Sequence, residues 1–108
     1  MIEKVIHAIS EPNRRTILSL LMNEELTSSE IATNFEISPP AISQHLKVLE
    51  KSGLVVVRKE GNKRIYQLRK EGFNDLKDYL DRFWDDSLFL LKQAAEEEER
   101  RNNDASTK

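Results

Sequence analysis

The stretch SPPAISQHLKVLEKSG, Ser38 to Gly53, decides the fold. Ser38 is a favoured helix N-cap, Pro39 suits the first helical position, where an amide hydrogen would lack a partner, and Gly53 can take the left-handed conformation that ends a helix. Between these marks Ile42, Leu46 and Leu49 fall at i, i+4 and i+7, a narrow apolar stripe, while Ser43, Gln44, Lys47, Glu50 and Lys51 point elsewhere. The spacing predicts a helix that buries one face and leaves the other free to read a partner.

Upstream, Thr27 and Glu30 have the spacing of a capping box in front of Ile31, Ala32 and Phe35, which predicts a short helix from Ser28 to Phe35. Glu36, Ile37 and Ser38 form the turn into the next helix. Two helices joined by so short a turn have the spacing of a helix-turn-helix, whose second helix is placed to enter a major groove. Earlier still, Ile2, Val5, Ile6 and Ile9 mark a short amphipathic helix, and PNRRTILSLLMN begins a second with Pro12 in its first turn.

Downstream, LVVVRK and RIYQL are rich in β-branched and aromatic residues and flank Glu60-Gly61-Asn62-Lys63. Gly-Asn suits a two-residue hairpin turn, so a β-hairpin follows the helix-turn-helix directly, as a wing. Arg58, Lys59, Lys63 and Arg64 cluster near its tip, with Glu60 opposing them. From Gly72 the pattern returns to helix, with Phe73, Leu76, Leu80, Phe83, Trp84, Leu88 and Leu91 at helical steps. Five of the seven aromatic residues lie here, Phe73, Tyr79, Phe83, Trp84 and Phe89, an apolar surface wider than one small domain covers; it predicts a subunit interface. The helix is expected to fray within Glu96–Arg101, which divides the chain into a domain over 1–95 and a charged, disordered tail over 96–108.

Charge sharpens the reading. Residues 1–36 carry three basic and six acidic groups, residues 37–70 eight and two, and residues 71–108 six and eleven, so a basic middle (+6) sits between acidic flanks (−3 and −5) within a total of −2. Binding to a phosphate backbone depends on the local field, and the acidic total does not oppose it. The absence of cysteine excludes disulfides, thiolate metal sites and cysteine nucleophiles. Neither a signal peptide nor an apolar run long enough to span a bilayer is apparent, which predicts a cytoplasmic protein with no membrane partner. No Gly-rich phosphate loop, metal constellation or nucleophile beside a base appears, so no enzyme and no cofactor are expected.

Taken together, EPNRRTILSLL, SSEIATNFEISPPAISQHLKVLEKSGLV and RKEGNKRIYQL resemble the opening, the helix-turn-helix signature and the wing of the ArsR family of bacterial winged-helix repressors, over about residues 8–69. The resemblance implies a mainly α fold in the order α-α-α-α-β-β-α, and a homodimeric repressor joined through its first and last helices and bound to an inverted-repeat operator. The best-known members sense metals through third-helix cysteines or through Asp, His and Glu on the last helix. Here the third-helix segment has no cysteine, the last helix has no histidine, and His7 and His45 lack paired ligand spacing, so no metal site is expected.

These readings assign roles. Ser43 and Gln44 are the candidates for base edges, since glutamine can bond adenine bidentately and serine accepts several bases. Pro39 and Pro40 sit at the helix entry, where they read by apolar contact and shape. Ser38, Lys47, Lys59, Lys63 and Arg64, with Thr27 and Ser29 as weaker members, are assigned to the phosphates of double-stranded DNA. Ile2, Val5, Ile6 and Ile9, with Leu76, Tyr79, Leu80, Phe83, Trp84 and Leu88, are assigned to the dimer interface. The rivals are a winged-helix protein-interaction module without DNA binding, and a repressor gated by a small-molecule inducer at the dimer interface.

Overall fold

The computed structural model describes the backbone of residues 2–106, and the side chains of that range except those of residues 84–89 and 102–106. In chain order the elements are α1 (Ile2–Ile9), α2 (Pro12–Leu21), β1 (Leu26–Thr27), α3 (Ser28–Ala32), α4 (Pro39–Lys51), β2 (Val55–Glu60), β3 (Lys63–Leu68), a 3-10 turn (Lys70–Phe73) and α5 (Asn74–Ser106). By contacts the chain divides into two compact units, with the boundary between Leu76 and Lys77. The sequence placed its division near residue 95.

The boundaries of α3 and α4 have chemical causes. Thr27 and Glu30 close the capping box, with Glu30 N donating to Thr27 Oγ1 at 3.1 Å and Thr27 N to Glu30 Oε1 at 2.8 Å. α3 nevertheless ends at Ala32, three residues before the expected Phe35. Thr33 Oγ1 and Asn34 Nδ2 both donate to the Glu30 carbonyl, at 2.7 and 3.1 Å, and the Asn34 amide turns to Ile31 O instead. Short polar side chains here take the acceptor that the next helical turn would need.

At the other end of α4 the Gly53 amide donates to Glu50 O and the Leu54 amide to Leu49 O, with Gly53 at φ 82°. This is the paired closure of a Schellman motif. It turns the chain so that Leu54, fully buried, enters the core directly.

The hairpin pairs Glu60 with Lys63 and Val55 with Leu68, which leaves Gly61-Asn62 as the two-residue turn. Gly61 has φ 61° and no other residue type in the described chain has positive φ, the pattern of a II′ turn with glycine in first place. A third strand, β1, pairs antiparallel with β3, matching Leu26 to Tyr66 and Thr27 to Ile65, and gives the sheet order β1-β3-β2. The sequence reading contained only the hairpin.

The core of this unit is built from Ile17, Ile31, Ile42, Leu46, Leu49, Leu54 and Val55, all at or below 2% exposure. The stripe on α4 is therefore its centre, each aliphatic chain stabilising the fold by about 1.5–3 kcal/mol. In the second unit α5 continues to Ser106, past Glu96–Arg101, where the sequence reading frayed it. Glu and Arg are good helix formers, and Glu96 and Glu97 stand four residues before Arg100 and Arg101, the favourable order for such pairs. Within this unit Tyr79 and Phe83 meet edge to face at 4.9 Å, and Lys77 pairs with Asp81 at 3.2 Å.

Candidate nucleic-acid interface

The free face of α4 is presented as its spacing predicts. Ser43, Gln44 and Lys47 are exposed, and Pro39 and Pro40 are exposed at the helix entry. The entry itself is chemically closed. Proline has no amide hydrogen at the first two helical positions, Ala41 N donates to Ser38 Oγ at 3.3 Å, and Ile42 N donates to Ser38 O, the first helical bond. A helix start normally offers free amides to an anion; this one has none left beyond Ser38. Ser38 thus serves as a cap, and phosphate contacts from α4 must come from side chains.

On the wing Lys59, Lys63 and Arg64 are exposed and form no ion pair among the described residues. Arg58 is different. Its guanidinium grips Glu25 through two parallel bonds of 2.7 Å and reaches Glu60 at 3.3 Å. The bond from Arg58 holds the Glu25 carboxyl below its ordinary 4.5, and the acids in turn raise Arg58. The geometry makes Arg58 a brace between the hairpin and the lead-in to β1, leaving the other three cations to project. Thr27 commits its hydroxyl oxygen to the capping box, whereas Ser29 stays exposed. Those capping bonds, from the Thr27 backbone and side chain and then the charge of Lys63, lower the Glu30 carboxyl as well.

Helix and wing meet across a groove of about 310 Å³ lined by Ser28, Ser43, Lys47, Glu50, Arg64 and Tyr66. Ser43, Lys47 and Glu50 form one stripe along α4, at i, i+4 and i+7. Arg64 and Tyr66 come from β3, and Ser28 opens α3. The fold thus brings together two predicted phosphate ligands, one predicted base reader and two residues, Ser28 and Tyr66, that the sequence reading left out.

Another omission lies beneath the face. Arg14, 8% exposed, donates through Nε to Ala8 O at 2.7 Å, through one terminal nitrogen to His7 O at 3.0 Å, and lies 3.3 Å from His45 Nδ1 through the other. Arg14 can only donate, so this contact is a hydrogen bond when Nδ1 of His45 carries no proton. His45 also lies 3.8 Å from Glu11 Oε2. One buried guanidinium thereby ties the end of α1 to the middle of α4. The signal in the sequence was spacing: Arg14 stands three, four and seven residues before Ile17, Leu18 and Leu21, on the side of α2 that is buried.

The surface assigned to a partner subunit divides. Val5, 3% exposed, belongs to the core, and Ile9 and Leu76 pack against it in part. Ile2, Tyr79 and Leu80 are half-buried, while Ile6 and Phe83 stand out at 41% and 61% exposure. The side chains of Trp84 and Leu88 lie outside the described residues. Among the described residues no three His, Cys, Asp or Glu side chains gather as a metal site, and no helix is long and apolar enough to cross a membrane.

Comparison with known proteins agrees with this geometry. Residues 11–57 match the profile of the bacterial regulatory proteins of the arsR family. An HTH-type transcriptional regulator of Mycobacterium tuberculosis is 40% identical over 86 residues, covering 80% of each chain. The arsenical resistance operon repressor of Staphylococcus xylosus is 38% identical over 77 residues, covering 71% of this chain and 74% of that one. Among solved structures, a possible transcriptional regulator for arsenical resistance superposes with a TM-score of 0.70 at 40% identity, covering 82% of this chain and 93% of that one. With a helix-turn-helix, a basic wing and these relatives, the chain belongs to the arsR family of bacterial regulatory proteins and is a winged helix-turn-helix transcriptional regulator.

Proposed function

We propose that the protein acts as a homodimeric repressor that places α4 of each subunit in successive major grooves of an inverted-repeat operator. The observation that carries this is the shared groove: Ser43 and Lys47 of α4 line it together with Arg64 of the wing, while Gln44, Lys59 and Lys63 are exposed on the same two elements. Gln44 and Ser43 read base edges, and Lys47, Lys59, Lys63 and Arg64 neutralise phosphates. A two-fold dimer sets the two reading helices about 34 Å apart, one turn of duplex. Four such cations per subunit would give a salt dependence with a log–log slope of about −7 for the dimer.

The apolar residues on α1 and α5, Ile6 and Phe83 with Leu90 and Leu91 beyond them, are large and exposed, and support assembly through these helices. Repression follows if the bound dimer occupies promoter DNA. Selecting bound fragments from a random duplex pool tests the reading: it should return a pseudo-palindrome with half-site centres about 10 base pairs apart. Failure to retain any duplex at low salt would favour the protein-interaction reading of the same fold.

A further inference from the structure

The groove between α4 and β3 contains a group that neither the core nor the wing cations explain. Tyr66 is 4% exposed, yet its hydroxyl makes no hydrogen bond among the described residues. None of those residues has a sealed side-chain nitrogen or oxygen without a partner. The hydroxyl therefore meets solvent, and the groove that Tyr66 lines is where it can do so. Packing holds the ring, with Leu26 and Val57 opposite it on the two flanking strands. What remains is a pre-positioned neutral donor on the floor of a groove walled by Lys47 and Arg64.

We propose that this groove seats one phosphodiester of the DNA backbone, with the Tyr66, Ser28 and Ser43 hydroxyls as donors and Lys47 and Arg64 as counter-charges. The inference rests on α4 and the wing being the DNA-binding elements. One sugar-phosphate strand separates the major groove of a duplex from the adjacent minor groove. With α4 in the major groove and the wing cations on phosphates, the strand that borders the major groove passes between helix and wing, across this groove. Glu50 repels phosphate from the C-terminal end of the α4 stripe, which places the seat toward Ser43 and Lys47. Neutral donors to a charged oxygen form strong hydrogen bonds without displacing counterions.

The test pairs Tyr66→Phe with selected operator duplexes carrying single methylphosphonates, which remove the charge of one phosphate at a time. Tyr66→Phe should unfold at the parent's temperature, since its hydroxyl has no partner among the described residues, and should bind operator and scrambled DNA roughly tenfold more weakly with an unchanged salt slope. Arg64→Ala should weaken binding and reduce the slope by about 1. One methylphosphonate position in each half-site should weaken the parent but cost Tyr66→Phe nothing further. Parent-like binding by Tyr66→Phe, or additive losses at every position, would overturn the seat while Gln44→Ala still lost operator preference. No duplex binding by the parent at low salt would overturn both the seat and the reading beneath it.

Discussion

A Cβ at Gly72 would overlap the carbonyl oxygen of Gly53 and come within 2.8 Å of its carbon and 3.2 Å of Leu54 Cα. The obstacle is backbone on both sides, reinforced by Arg69 N donating to Leu54 O at 2.9 Å. Gly72→Ala should therefore cost about 3 kcal/mol or more in urea unfolding. Gly61→Ala, strained by its φ but open to solvent, should cost about 1 kcal/mol. Arg14→Leu would take the buried side-chain donor from the Ala8 carbonyl, whereas Ser10 would still donate to that of His7, a loss of about 1–3 kcal/mol measured the same way. At this scale the sequence was least informative. Ile42, Leu46 and Leu49 were legible because a helical period selects them, and the same period sets Arg14 on the buried side of α2, but nothing local shows that its guanidinium would find the carbonyls of α1. Val5, assigned to the interface, packs in the core of its own unit, since an apolar residue on a short helix faces core or partner with the same pattern. Tyr66 and Ser28 were missed because their partners on α4 lie fifteen or more residues away in sequence.

Elements were read best where their ends carry their own chemistry. The capping box, Ser38, Gly53 and Gly61-Asn62 each act within a few residues, so local sequence suffices to place them. β1 was invisible because two residues have no periodicity; it exists through pairing with β3, a non-local event. α3 was overextended because its end depends on a contest between side-chain and main-chain donors at Glu30 O. Pro39-Pro40 gains a physical account here: the two prolines delete two of the orphan amides at the start of α4, and Ser38 caps the third. The acids give a pH test. The folded pKa values of Glu25 and Glu30 lie below 4.5, so their contribution to stability is present above that value and is lost as pH falls through the lowered folded values. Urea midpoints followed from pH 6 downward should fall below about pH 4.5, and Glu25→Gln should start lower and fall less. A Glu25→Gln profile parallel to the parent's would contradict the brace.

For the whole molecule, a net charge of −2 conceals the working surface, because the basic groups are concentrated between Ile37 and Lys70 and the acidic ones elsewhere. The division of charge was legible from sequence; that Arg58 is bound by Glu25, and so does not count toward the free basic surface, was not, since the two are 33 residues apart. Assembly belongs to this scale. Phe83→Glu places a charge on an exposed apolar residue of α5, and sedimentation should show a shift toward monomer with the fold of residues 2–76 unchanged by circular dichroism. An undiminished dimer would remove Phe83 from the interface. Because two-fold symmetry is what matches an inverted repeat, the same variant should lose affinity for the full operator far more than for a single half-site.

The central claim, that α4 reads bases while the wing holds phosphates, is tested most directly by titrating fluorescent operator and scrambled duplexes over a range of salt with the parent, Gln44→Ala and Lys63→Ala. The account predicts that Gln44→Ala loses about 1–3 kcal/mol on the operator and little on scrambled DNA, with the salt slope unchanged. Lys63→Ala should weaken both duplexes alike and reduce the slope by about 1. Equal losses on both duplexes for both variants would contradict it.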